Sequence, residues 1–281
     1  MQTTPTILLP KLQTLFQHRA ARFRQLAETH ASLAAYLNLM AELADCQHSL
    51  SINFHDTKLP DSDTKYPLAI SDWRRDSAWL EYLRKIVEHF KHNEGNLNAI
   101  IKRIQQARDE DLEIWADQLL AGEMENLEPG IAPFVAAALQ VYWVCLAARL
   151  DADKIKPAEI AYFCPVCGSL PVASVLQTGG SVQGLRYCCC GLCATEWNHP
   201  RIVCIHCGSS KGVAYYGVEG AGEIVKAEAC AECNTYIKLM NREMDISLDP
   251  CADDLATLSL DMLMAEEAYQ RLGFNLLLIT G

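Results

Sequence analysis

At 281 residues, 50% of them apolar, the chain can bury a sizeable core as one large domain or two to three smaller ones, which excludes a disordered polypeptide. A formal charge of -11 excludes the dense basic footprint of non-specific nucleic-acid binding. Thirteen cysteines, with Pro5, Pro10, Lys11 and Arg19 interrupting any apolar export segment near the start, read as metal ligands in a reducing compartment, the cytoplasm, rather than as a disulfide scaffold.

Residues 11 to 48 carry apolar side chains at helical spacing (Leu12, Leu15, Phe16, Phe23, Leu26, Leu33, Leu37, Met40 and Leu43) opposite a face rich in Arg and Gln. This predicts one or two amphipathic helices. The pattern breaks from about 51 to 72 around Pro60 and Pro67, a predicted loop. It returns over Trp79 to Phe90, Leu97 to Ile104 and Leu112 to Leu119. Residues 131 to 150 are the most apolar stretch, long enough for a membrane span. Pro133, Gln140, abundant Ala and acidic flanks favour the central buried helix of a bundle instead, with no stable membrane insertion.

The charged segment Asp151 to Glu159, with Pro157, reads as a linker, and the texture then changes to short β-rich runs with glycine turns. Val172 to Gln177 and Gly184 to Cys189 predict a hairpin around Gly179 and Gly180; Val213 to Val218 and Glu223 to Ala229 predict another around Gly220 and Gly222. Two pairs of short turns punctuate these runs. Cys164 and Cys167 are followed after 22 residues by Cys190 and Cys193; Cys204 and Cys207 are followed after 22 by Cys230 and Cys233. The second set repeats the first 40 positions on, and Gly168-Ser169, Leu185 and Arg186 recur as Gly208-Ser209, Val225 and Lys226. A fixed period indicates two copies of one unit. Each copy is too small for its own core, so metal ligation must supply much of its folding energy.

Each set of four thiolates suits an ion that prefers a tetrahedron. Joining the inner pairs, Cys190 and Cys193 with Cys204 and Cys207, would orphan the outer ones. Cys188 and Cys189 read as neighbouring or buried thiols, with Cys188 an alternative ligand, and Cys46, Cys145 and Cys251 as small buried hydrophobes. His199 and His206 are additional candidate ligands, read as turn residues where four thiolates are available. A closed shell leaves no open position for water or substrate, so the sites are structural or relay electrons or metal, and no catalytic residue is assigned. Asp109-Glu110-Asp111 and Asp253-Asp254 are read as carboxylates at helix N-termini. Zinc and iron share this ligand set, and the Cys-Pro-Val-Cys-Gly turn at 164 to 168 has the look of a rubredoxin knuckle, which leans towards iron. After Pro250 a last helix is predicted, with Leu255, Leu258, Met262, Leu263 and Tyr269 on one side.

The fold expected is therefore multidomain: an all-α N-terminal domain (1–157), two tandem rubredoxin-like, or zinc-ribbon-like, β modules with four-cysteine sites (158–200 and 201–250), and a C-terminal helix and tail (251–281).

The chain resembles the FdhE-type accessory proteins of bacterial respiratory formate dehydrogenases. The residues that carry the likeness are Cys164-Pro-Val-Cys-Gly-Ser-Leu-Pro-Val-Ala-Ser, Gln183-Gly-Leu-Arg-Tyr, Cys190 and Cys193 with Thr195-Glu-Trp, Ile224-Val-Lys-Ala-Glu-Ala-Cys230 to Cys233, and Asp253-Asp-Leu-Ala. Leu9-Pro-Lys-Leu before an Arg-rich helix and the Ala-Pro-Phe at 132 to 134 also fit. The resemblance implies a cytoplasmic, non-enzymatic assembly factor that binds the catalytic subunit of a molybdenum- or tungsten-containing formate dehydrogenase. It also implies iron held in rubredoxin-like fashion by the eight paired cysteines, and it leaves a homodimer open. Two other classes stand beside it. A rubredoxin-like electron carrier has no need of the large helical domain; a zinc-ribbon nucleic-acid binder is opposed by the acidic charge.

Overall fold

The structure, a computed structural model, describes residues 5–53, 58–60, 65–71, 75–123, 127–177, 184–218 and 223–278. The predicted turns at Gly179-Gly180 and at Gly220 and Gly222 lie outside these. Helical spacing in the first half produces α1 (Leu15–Thr29), α2 (Ala34–Ile52), α3 (Ala78–His89), α4 (Gly95–Gln106), α5 (Asp109–Ala121) and α6 (Ala132–Ala147). All sixteen residues of α6 are buried, as expected for the central helix of a bundle. Pro133 falls in its first turn, where a missing N–H costs nothing. Among the described residues, no helix is long and apolar enough to cross a membrane.

The cysteine-rich half forms β2 (Pro171–Leu176), β3 (Arg186–Cys190), β4 (Glu196–Asn198), β5 (Val213–Tyr216), β6 (Val225–Cys230) and β7 (Thr235–Asn241). The repeat is visible in three dimensions. β2 pairs antiparallel with β3 and β3 with β4; likewise β5 pairs with β6 and β6 with β7. The two copies are joined edge to edge, because β2 runs parallel to β7 with Ser174 opposite Leu239. The result is one continuous sheet, ordered β1-β4-β3-β2-β7-β6-β5, with β1 at Ile7–Leu8.

Two features differ from the sequence reading. Residues Ile7–Leu8, in the domain read as all-α but ahead of the helical spacing that begins at 11, form a strand, β1, that closes the edge of the sheet on β4. Two residues are too few for alternation to be visible. The C-terminal helix is broken at Thr257 into α7 (Ala252–Ala256) and α8 (Leu258–Glu266). The break rotates the apolar face, so Leu255, Leu260 and Met264 are buried while Met262 is 68% exposed. A short strand, β8 (Gln270–Arg271), then runs parallel to β7.

Side chains remote in sequence hold the halves together. Arg19 on α1 donates from Nε to Asp249 (3.1 Å), and Arg22 binds Asp253 through Nε and Nη2 (3.0 and 2.6 Å). Both arginines are buried, so part of the polar face of α1 is covered, while Arg24 on the same helix stays exposed. Asp253 and Asp254 lie in the first turn of α7, as read, and are in addition buried ion-pair partners: Asp254 receives Lys238 of β7 (3.1 Å), Arg271 of β8 (2.5 Å) and Asn275 (3.0 Å). Arg186 of β3, also fully buried, pairs with Glu228 of β6 (2.7 Å) and donates to the Val203 carbonyl (3.2 Å), tying the two copies to each other.

Candidate metal centres

Each predicted set of four cysteines converges. The sulfurs of Cys164, Cys167, Cys190 and Cys193 lie within 4.8 Å of one another, as do those of Cys204, Cys207, Cys230 and Cys233. In the first set Cys164 and Cys193 are 3.6 Å apart and Cys167 and Cys190 3.5 Å; in the second Cys204 and Cys233 are 3.6 Å apart and Cys207 and Cys230 3.7 Å. A tetrahedron of metal–sulfur bonds of about 2.3 Å has edges of about 3.8 Å. These separations match that edge and are far beyond the roughly 2.05 Å of a disulfide. The donors present therefore fit a four-thiolate ion, paired by the repeat and not across it.

The local fold that produces each site is the same. The first two cysteines of a set occupy a loop preceding a hairpin; the third ends the hairpin's second strand, and the fourth follows in the turn to the next strand. In all four knuckles the residue after the second cysteine has positive φ: Gly168 76°, Ala194 56°, Gly208 72° and Asn234 53°. That conformation bends the chain back so that Gly168 N–H donates to the Cys164 carbonyl (2.9 Å) and Gly208 N–H to that of Cys204 (3.0 Å). It also aims backbone donors at sulfur: Leu192 and Cys193 N–H lie 3.4 and 3.3 Å from Cys190 Sγ. Such donors favour the thiolate that a metal requires.

Hydroxyls complete the sulfur environment. Ser169 Oγ is 3.0 Å from Cys167 Sγ and 3.1 Å from Cys190 Sγ. Thr195 Oγ1 is 3.2 Å from Cys193 Sγ, and Thr235 Oγ1, forty positions on, is 3.0 Å from Cys233 Sγ. Burial raises the Cys233 thiol, but hydrogen bonds from Thr235 and His206 outweigh it and bring the group to about 6. The threonines are a functional pair that the sequence reading did not single out as one, although the period of the repeat contains them.

The other candidates are not among the clustered ligands, although His206 hydrogen-bonds to Cys233. His206 is exposed and stacks on Tyr162, with ring centroids 5.2 Å apart. His199 is buried, and both burial and the nearby Arg186 charge depress its ring to about 4, so it is neutral. Burial pushes the Cys188 thiol up to about 12 and that of Cys189 well above its ordinary value; Cys46, Cys145 and Cys251 are likewise at about 12. These are protonated buried thiols. Asp109 to Asp111 do lie in the first turn of α5, where Asp111 accepts from the Arg108 backbone (3.3 Å).

The first centre is fastened to the helical half. Leu68 N–H donates to the Val166 carbonyl (2.8 Å) and Ile70 N–H to that of Cys167 (3.1 Å), while Tyr66 lies over Gly168. Gln140, the polar interruption of α6, donates from Nε2 to the Gly191 carbonyl (2.7 Å) in the opposite knuckle. A cavity of about 480 Å³ opens beside this centre, between Leu8 to Leu15, the Cys189–Cys190 end of β3, and Arg242 to Cys251.

Family models for the FdhE N-terminal, central and C-terminal domains match residues 4–159, 163–201 and 202–278. The chain is 35% identical to the Protein FdhE homolog of Cronobacter sakazakii over 100% of its own length and 93% of that protein. It is 37% identical to the Pectobacterium atrosepticum homolog over 96% of this chain and 89% of that one. The crystal structure of the FdhE protein from Pseudomonas aeruginosa superimposes with a TM-score of 0.88 at 34% identity, covering 99% of this chain and 100% of the other. The match runs through both cysteine clusters and the helices that hold them, and the chain belongs to the FdhE family.

Proposed function

We propose that this protein is a cytoplasmic accessory factor for respiratory formate dehydrogenase that binds the enzyme's catalytic subunit and holds iron in two tetrathiolate centres. The observation that carries this reading is the full-length family match, spanning both the helical half and the two clusters. The chemistry agrees with it. Four thiolates closed around one ion leave no position at which a substrate could be activated, so a binding or relay role fits the donors better than hydrolysis. The cavity beside the first centre, where the N-terminal segment, β3 and the C-terminal segment meet, is the concave surface expected of a client site at a structural junction.

The iron reading rests on the rubredoxin-like knuckles, with hydroxyl and N–H donors aimed at sulfur, the arrangement that tunes iron–thiolate centres. A freely diffusing electron carrier is the second reading, favoured by the exposed Cys207 edge of the second centre.

Expression of this chain in a formate-respiring bacterium deleted for its own FdhE separates the two. The accessory role requires formate dehydrogenase activity to return; a carrier that exchanges electrons with purified formate dehydrogenase yet fails to restore activity in the deletion strain contradicts it. Purification from cells grown in iron should yield the visible charge-transfer absorption of an iron tetrathiolate, and a colourless protein containing only zinc would overturn the metal assignment.

A further inference from the structure

The two centres share a ligand set and a local fold, yet their surroundings differ. In the first, Cys164, Cys167 and Cys193 are 0% exposed and Cys190 3%, all within the main hydrophobic core of the molecule. In the second, Cys204 and Cys230 are buried, but Cys207 is exposed and Cys233 partly so, and none of the four belongs to that core. The backbone repeats the contrast. Both knuckles of the first centre are hydrogen-bonded to the helical half, through Leu68, Ile70 and Gln140. At the second, a Cβ placed on Gly208 would meet nothing within 4 Å, whereas one on the equivalent Gly168 would meet the Tyr66 ring at 2.9 Å.

We infer that the centres are kinetically inequivalent: the second is the exchanging centre, from which metal passes to or from external thiolate or chelating ligands at the Cys207 edge, and the first is locked. This rests on the reading that both clusters hold metal. Exchange is substitution without redox change. An incoming donor bonds the ion as Cys207 leaves it, and the remaining thiolates follow in turn. At the second centre it starts at the exposed His206-Cys207 end of the knuckle, before the buried Cys204 and Cys230 are released. At the first it needs the hydrogen bonds from Leu68, Ile70 and Gln140 to open, an event with the low probability of local unfolding in a packed core. Of the four ligands of the first centre, Cys190 is the one that lines the cavity among the described residues, and its sulfur already receives the Leu192 and Cys193 N–H groups.

The full chain loaded with two zinc ions, challenged with excess EDTA and followed by the metal remaining on the protein, tests this. Two phases of one equivalent each are expected, differing at least about tenfold in rate. Cys207→Ser should abolish the fast phase and keep the slow one; Gln140→Ala should accelerate the slow phase and leave the fast one unchanged. Release of both equivalents at one rate, or a fast phase that survives Cys207→Ser, would overturn the assignment. Binding of fewer than two zinc ions by the unmodified chain would instead remove the reading that both clusters hold metal, and this inference with it.

Discussion

Lys238 illustrates how single residues carry this structure. Its ammonium is fully buried, 3.1 Å from Asp254 and 2.6 Å from Asp261, and it also donates to the Asp254 carbonyl (2.9 Å). Burial alone would raise the Asp254 carboxyl, but the Lys238 and Arg271 charges hold it below the usual carboxylate value. Breaking a buried pair from one side leaves an uncompensated charge, so Asp254→Asn is expected to cost about 3–5 kcal/mol at pH 7 in denaturant unfolding. A carboxyl depressed on folding stabilises above its unfolded value of about 3.9 and loses that contribution as pH falls through the lower folded value. The difference between Asp254→Asn and the unmodified chain should therefore shrink towards pH 3; a pH-independent gap would contradict this. His199 acts in a separate window. Its ring, held at about 4, binds a proton in the unfolded chain near 6.5 but not in the fold. Stability should fall as pH drops from 6.5 to 4, by up to about 3 kcal/mol, and His199→Gln should flatten the profile over that range.

Among the elements, α6 and the cysteine knuckles show where the sequence was legible. The knuckles are local: a two-residue gap, a left-handed residue after each pair and a forty-residue period are written consecutively in the chain. Burial of α6 followed from its apolar run. The role of Gln140 did not, since its partners, the Gly191 carbonyl and the Gln47 amide, lie 51 and 93 residues away. A polar residue in an apolar helix could be recognised as an anomaly, and its meaning depended on packing. Gln140→Leu takes the donor from the buried Gly191 carbonyl and one of the two acceptors from the Gln47 amide, which keeps its bond to the Ala137 carbonyl, at a cost of about 1–3 kcal/mol for the carbonyl. Its melting temperature should drop by several degrees with the metal sites still loaded, and an unchanged melting temperature would show that the fastening is dispensable. The Arg19–Asp249 and Arg22–Asp253 pairs were hidden for the same reason, being separated by 230 and 231 residues. Periodicity placed those arginines on a polar face without saying that the face is covered.

For the whole molecule, the domain order was readable from the change of texture near the linker, but the unity of the sheet was not. The parallel pairing of β2 with β7 and the closure by β1 depend on contacts between segments of different composition. The helical half through α1, the first centre through Cys190, and the segment from Arg242 to Cys251 form one framework around a cavity. We propose that this framework receives the catalytic subunit of formate dehydrogenase. The direct measurement is an affinity pull-down from formate-grown cells with the unmodified chain and its Cys204→Ser/Cys207→Ser and Cys164→Ser/Cys167→Ser variants. The unmodified chain should retain that subunit, and the Cys164→Ser/Cys167→Ser variant, whose centre borders the cavity at Cys190, should lose it. Retention of no formate dehydrogenase subunit by the unmodified chain would contradict this binding role.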